Sequence, residues 1–216
     1  MVTTALLVVN AVFFVATLTQ EGGAGRIVEG TLQAQGALRA AEVADGEVWR
    51  LVTSAFLHGG LLHIAFNMVL LWWLGTALER YAGSLRMAIV YFSAVLWASA
   101  GALYLDPDVY TLGASGGVFG LMGAVLWIEW RERYALMGGS IWALVALNLV
   151  ITFVLPGISV GGHLGGFAGG VLAAVALSGL GRYSLARAQF DRGPLLLGLG
   201  VLVAGGVAAL AAAHLA

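Results

Sequence analysis

Residues 161–180 read GGHLGGFAGGVLAAVALSGL. This stretch has no Asp, Glu, Lys or Arg. Wound as a helix at about 1.5 Å per residue, it matches the roughly 30 Å hydrocarbon core of a bilayer. Its one imidazole, His163, is flanked by glycines in two rows at spacing four, Gly161, Gly165, Gly169 and Gly162, Gly166, Gly170. Small residues at that spacing share a helix face and let another helix come close. The stretch therefore reads as a membrane helix that carries one histidine against a close neighbour.

The rest of the chain agrees. Of its 216 residues 61% are apolar and 10% charged, and mean hydropathy is +0.96. Soluble domains carry about 25% charge, so there are too few charges here to coat a surface facing water. The expected fold class is all-α, a polytopic membrane helix bundle. Disorder is excluded, because it needs low hydrophobicity and high charge. With a net charge of -1 and no basic patch, no nucleic-acid partner is expected. There is no cysteine, hence no disulfide and no thiolate chemistry, and all ten basic residues are arginine, hence no Schiff-base lysine.

Seven candidate spans run at about 2–19, 60–78, 85–105, 113–130, 136–155, 161–180 and 194–215. The first lacks a basic lead-in and a cleavage site, so it is expected to be a retained helix. The last opens at Pro194, a favoured first-turn residue. The expected domain is a single one over 1–216, with a core at about 1–180 and the additional span at 194–215. Arg80, Arg86, Arg131, Arg133, Arg182, Arg187 and Arg192 all fall on one side in this count, and the long loop 20–59 falls on the other. The positive-inside rule then puts the N-terminus in the cytoplasm and the long loop outside, in the plasma membrane.

Polar groups in hydrocarbon are costly unless paired, which makes the few present informative. His63 and Asn67, spaced i, i+4, share a face of the second span. Ser115 opens the fourth within Gly113-Ala114-Ser115-Gly116-Gly117, and His163 opens the sixth. By the arginine topology all four sit at the outer end of the bundle. A serine needs a base to become a nucleophile, and a neutral imidazole is the usual one. Acyl transfer also needs donors aimed at the developing oxyanion. The Ser115 backbone N–H at a helix start, the Asn67 amide and a His63 ring N–H can supply them. No Asp or Glu lies in the outer half of any span, which points to a Ser–His dyad. Phe119, one turn after Ser115, can stack on the imidazole.

Taken singly, each residue has a plainer explanation. A membrane serine usually bonds a carbonyl one turn back, and a lone His or Asn is often interhelical glue. His58 reads as a loop residue at the water interface. Arg50 beside Trp49 reads as an interfacial anchor. Zinc held by His58, His63 and His163 is a weaker rival, because no His-Glu-x-x-His and no intramembrane carboxylate is present. A transporter is weaker still without charge at mid-depth. No metal and no cofactor is expected.

In four pieces, in order, the chain resembles the rhomboid intramembrane serine proteases. Glu47-Val48-Trp49-Arg50 resembles the Trp-Arg motif of that family's first loop. His58 with His63-Ile64-Ala65-Phe66-Asn67 resembles its His…His-x-x-x-Asn segment, and Gly113-Ala114-Ser115-Gly116 resembles its Gly-x-Ser-Gly motif. Residues 162–170 resemble the helix of its catalytic histidine. The resemblance implies a six-helix core plus one C-terminal helix. It implies Ser115 as nucleophile, His163 as base, and an oxyanion hole from His63, Asn67 and Ser115. His58, Phe119, Gly113, Gly116, Trp49 and Arg50 are then supporting residues. It also implies a gate at about 137–155 and a cap at 156–162. At Phe119 some relatives carry Tyr. The expected function is cleavage of transmembrane segments of membrane-anchored proteins, within the lipid bilayer. The alternative is a non-catalytic rhomboid-like binder or chaperone of membrane proteins.

Overall fold

The computed structural model describes residues 1–187 and 192–216. A helix stands at each of the seven expected positions: α1 (Val2–Leu18), α5 (Leu61–Ala82), α6 (Ser84–Leu105), α7 (Ser115–Glu132), α8 (Ile141–Val154), α9 (Val160–Leu177) and α10 (Arg192–Leu215). Between α1 and α5 the chain forms three short helices, α2 (Leu32–Gly36), α3 (Ala40–Ala44) and α4 (Arg50–Thr53). No named strand occurs among the described residues. An antiparallel bridge joins Leu38 to Thr111.

Among the described residues four helices, α5, α6, α9 and α10, are long and apolar enough to cross a membrane. This is an integral membrane protein, and its surface agrees: Leu61, Leu62, Phe66, Val69, Trp72 and Trp73 of α5 are all exposed. In a water-soluble chain such a face would be an aggregation site. α1 and α8 are apolar but shorter, at 17 and 14 residues. α7 ends in Glu129, Arg131 and Glu132.

Several expected boundaries shift. The span expected at 136–155 shrinks to Ile141–Val154, because Gly138 and Gly139 take φ of +62° and +80° and hold a turn open before it. The cap expected at 156–162 is only the loop 155–159. Val160 already starts α9, whose N-cap Ser159 accepts the Gly162 N–H at 3.0 Å. α5 runs on to Ala82 and α6 starts at Ser84, so Arg80 and Arg86 lie within helices, not in a loop. Glu79 is buried there. It accepts hydrogen bonds from the Val2 N–H (2.6 Å), the Thr3 N–H (3.0 Å), the Thr3 hydroxyl (2.6 Å) and the Ser84 hydroxyl (2.6 Å). One carboxylate thereby satisfies two orphan N–H groups at the start of α1 and ties them to the Ser84 hydroxyl at the start of α6.

α9 packs chiefly on α6 and α7, and its two glycine rows explain how. A Cβ on Gly161 would lie 2.1 Å from the Gly101 carbonyl oxygen, and one on Gly165 would lie 2.3 Å from that of Trp97. This row seats α6. A Cβ on Gly166 would lie 2.2 Å from the Gly116 oxygen and one on Gly170 2.0 Å from the Gly120 oxygen, which seats α7. Gly162 stands apart from its row, facing its own cap Ser159 at 3.0 Å. α10 lies along α6, where the Trp97 indole N–H donates to the Val201 carbonyl at 3.1 Å. Ala209, Ala212 and Ala213 of α10 share an apolar cluster with Val43 of α3.

The segment after α1 is knotted by Arg50, which is 4% exposed. Its guanidinium donates to the carbonyls of Ala34 (2.8 Å) and Ala37 (2.7 Å) and to the Glu47 carboxylate (2.7 Å). The anchor reading of Arg50 therefore fails: the side chain faces inward because two backbone carbonyls and one carboxylate share its fork of donors. Trp49 is the exposed member of the pair, with its indole N–H on the Gln35 carbonyl at 3.1 Å.

Candidate active site

The first turns of α5, α7 and α9 meet at one end of the bundle. Ser115 is the first residue of α7, and its N-cap Ala114 has no side-chain cap to offer. The first backbone bond into α7 runs from the Val118 N–H to the Ala114 carbonyl at 3.0 Å, so the N–H groups of Ser115 to Gly117 have no acceptor within the helix. Facing them, the His163 Nε2 lies 2.9 Å from the Ser115 Oγ. The Phe119 ring lies flat on the imidazole, with centroids 4.0 Å apart and planes 20° from parallel. His163 is 9% exposed and Ser115 half-buried.

The other imidazole nitrogen also has a partner. The Thr152 Oγ1 of α8 lies 2.7 Å from the His163 Nδ1. Sequence reasoning missed this residue. The available signal was weak: Thr152 follows Asn148 by four positions, a polar pair on one face of an otherwise apolar helix.

His63 sits in the first turn of α5. Its Nδ1 accepts the Gly59 N–H at 3.2 Å, so in the neutral ring the proton is on Nε2, which becomes a donor. That nitrogen points at Gly113, where an added Cβ would lie 2.7 Å from it and 3.7 Å from the Ser115 Oγ. Gly113 has a φ of +129°, so both its conformation and the space beside it demand glycine. Asn67 is buried, and one of its amide hydrogens goes to the His63 carbonyl at 2.8 Å. The second amide hydrogen is left for another acceptor.

His58 is not at a water interface. It is fully buried, its ring meets that of His63 edge-on at 5.1 Å, and its Nε2 accepts the Ala114 N–H at 3.5 Å. Burial, with the neighbouring His63 as the lesser cause, pushes the His58 imidazole down to about 3, so it is neutral at ordinary pH. It holds the turn before Ser115, as does Ser54, whose carbonyl accepts the Gly113 N–H at 2.9 Å.

Ser115, His163, Phe119, His63, Asn67, His58 and Gly113 are thus brought to one place. Gly116 serves packing instead: a Cβ there would lie 2.4 Å from that of Ala98 on α6. The bonds of Trp49 and Arg50 go to residues 34, 35, 37 and 47 and not to this cluster. Among the described residues no group of three or more His, Cys, Asp or Glu could hold a metal ion.

Fold and site together define an all-helical membrane protein in which a serine and a histidine, each at a helix start, share a hydrogen bond. The family model described as the Rhomboid domain matches residues 45–180, more than half of the chain, and the chain belongs to the rhomboid family. It is 39% identical over 150 residues to the rhomboid protease GluP of Bacillus subtilis, covering 68% of this chain and 29% of that one. It is 36% identical over 154 residues to RHOMBOID-like protein 4 of Arabidopsis thaliana, covering 68% and 39%. It is also 31% identical over 127 residues to inactive RHOMBOID-like protein 8 of the same plant, covering 56% and 36%. The chain thus spans less than half the length of these three relatives.

Proposed function

We propose that this chain is an intramembrane serine endopeptidase that cleaves transmembrane segments of membrane-anchored proteins. The observation that carries the reading is the 2.9 Å contact between the Ser115 Oγ and the His163 Nε2. In this reading His163 takes the Ser115 proton as the Oγ attacks the scissile carbonyl carbon. The carbonyl oxygen becomes an oxyanion, held by the Ser115 backbone N–H, the His63 Nε2–H and an Asn67 amide N–H. The imidazolium then gives its proton to the leaving amine as the C–N bond breaks. Water, deprotonated by His163, attacks the acyl-serine ester and releases the new carboxylate and the serine. No cofactor is invoked.

The proposed topology has seven spans in one domain, a six-helix core plus α10. The N-terminus is cytoplasmic and the site opens to the outer side of the plasma membrane, as the arginine distribution favours. A substrate helix hides its carbonyls in its own hydrogen bonds, so cleavage favours segments with helix-breaking residues. His58 and Gly113 shape the turn before the nucleophile, Phe119 steadies the base, and Gly116, Trp49 and Arg50 act through packing and the first loop.

The name of the inactive relative keeps a second reading in play, a membrane-protein binder without catalysis. Purified protein in liposomes, given a transmembrane reporter beside the Ser115→Ala variant, separates the two. Wild-type cleavage that Ser115→Ala abolishes supports the protease. Equal cleavage by both overturns it. An enzyme is labelled at Ser115 by a fluorophosphonate, and a binder is not.

A further inference from the structure

Among the described residues the partner behind the histidine is a hydroxyl and not a carboxylate, yet a serine protease base must hold its proton on one particular nitrogen. An imidazole in its neutral form carries one N–H and one lone pair. If the proton sits on Nε2, the ring faces Ser115 as a donor and cannot take the serine's proton. Something must keep it on Nδ1.

Proton counting around Thr152 supplies an answer. The Thr152 hydroxyl has a single hydrogen, and it donates to the Asn148 carbonyl one turn back, at 2.7 Å. That back-bond is the ordinary habit of threonine in a helix. It leaves the Thr152 Oγ1 with only lone pairs to offer to the His163 Nδ1 at 2.7 Å. The nitrogen facing it must then be the one that carries hydrogen. We propose that Thr152 is a positioning residue that holds the His163 proton on Nδ1, so that Nε2 meets Ser115 as a base. This rests on the protease reading above. In the opposite tautomer Thr152 would turn its hydrogen to Nδ1 and abandon the Asn148 carbonyl.

The placement of Thr152 fits this work. The buried residues of α8 are Ile141, Val145 and Thr152, and Thr152 is the polar one. Ile151, Phe153 and Val154 around it are exposed. The last turn of α8 thus turns one hydroxyl inward, and that hydroxyl meets the base.

The test uses the full chain in detergent and in liposomes. In protein labelled with 15N at histidine, the His163 resonances are those lost in His163→Ala. Wild type is expected to show a protonated Nδ1 and an unprotonated Nε2. Thr152→Val keeps the shape and removes the hydroxyl. It is expected to shift His163 toward the Nε2–H tautomer and to lower kcat about tenfold with KM unchanged, in line with the net worth of one neutral hydrogen bond, about 2- to 12-fold. Thr152→Ser restores both. An Nε2–H tautomer in wild type overturns the proposal without any variant. So does Thr152→Val with an unchanged tautomer, or with a changed tautomer and wild-type kcat. The protease reading fails separately, by absence of fluorophosphonate label at Ser115 in wild type, and the tautomer result then still stands or falls alone.

Discussion

The Phe119 ring and the His163 ring are stacked 4.0 Å apart. A flat apolar ring on one face of the imidazole limits its rotation, so Nε2 stays aimed at Ser115. Phe119→Ala is expected to lower kcat by about 2- to 12-fold, the range that an aromatic pair is worth. Phe119→Tyr keeps the stack and is expected to stay near wild type. Steady-state cleavage of a liposomal reporter measures both, and an alanine variant as fast as wild type would refute the role.

His63 and Asn67 are expected to matter as donors. His63→Ala or Asn67→Ala should each lower kcat by about 100- to 1,000-fold, the usual cost of one oxyanion donor. Because one Asn67 hydrogen already serves the His63 carbonyl, Asn67→Asp, which offers no donor, should be no better than Asn67→Ala. Single-turnover rates decide this.

Gly166→Ala is expected to separate α7 from α9, since the new methyl would lie 2.2 Å from the Gly116 oxygen. Overpacking of this kind costs about 1–3 kcal/mol, and both activity and thermal stability should drop. Gly200→Ala is the control: nothing lies within 4 Å of that position, and no loss is expected. Denaturation midpoints of the two variants check the contrast.

Arg50→Lys is expected to loosen the segment between α1 and α5. A lysine is a single point of charge and cannot reach Ala34, Ala37 and Glu47 together. Each carbonyl left without a partner costs about 1–3 kcal/mol. Limited proteolysis should cut this variant within residues 26–60 faster than wild type. Equal cutting rates would remove Arg50 from its structural role.

His58 gives a pH signature. Its imidazole is held at about 3 in the fold by burial, against about 6.5 in an unfolded chain. The unfolded state therefore takes up the proton first as pH falls. The stability from neutral His58 is complete above pH about 6.5 and is lost progressively toward pH about 3. His58→Gln should flatten the fall of the denaturation midpoint across that window, and an unchanged slope would argue against a buried neutral His58.

Ser115 and His163 were legible in the sequence because polar groups at the ends of apolar helices stand out against so little other polarity, and Phe119 followed from its place one turn after Ser115. The glycine rows announced a close neighbour, but not that α9 would seat two, α6 through Gly101 and α7 through Gly116 and Gly120. Thr152 was hidden because a membrane threonine satisfies itself on its own helix, and the leftover lone pairs acquire a partner only in three dimensions. Arg50 was misread because Trp and Arg side by side look like an interfacial pair, and nothing local announces the carbonyls of Ala34 and Ala37 as acceptors. The start of α8 was misplaced because the turn at Gly138 and Gly139 lies inside an apolar stretch.

The seam between α7 and α9 has one more consequence. At Gly116–Gly166 and Gly120–Gly170 main chain rests on main chain, with no side chain between to flex or change rotamer. Such a seam acts as a hard stop. The hydrogen bond between Ser115 and His163 joins the same two helices, so its length is set by backbone spacing and not by side-chain packing.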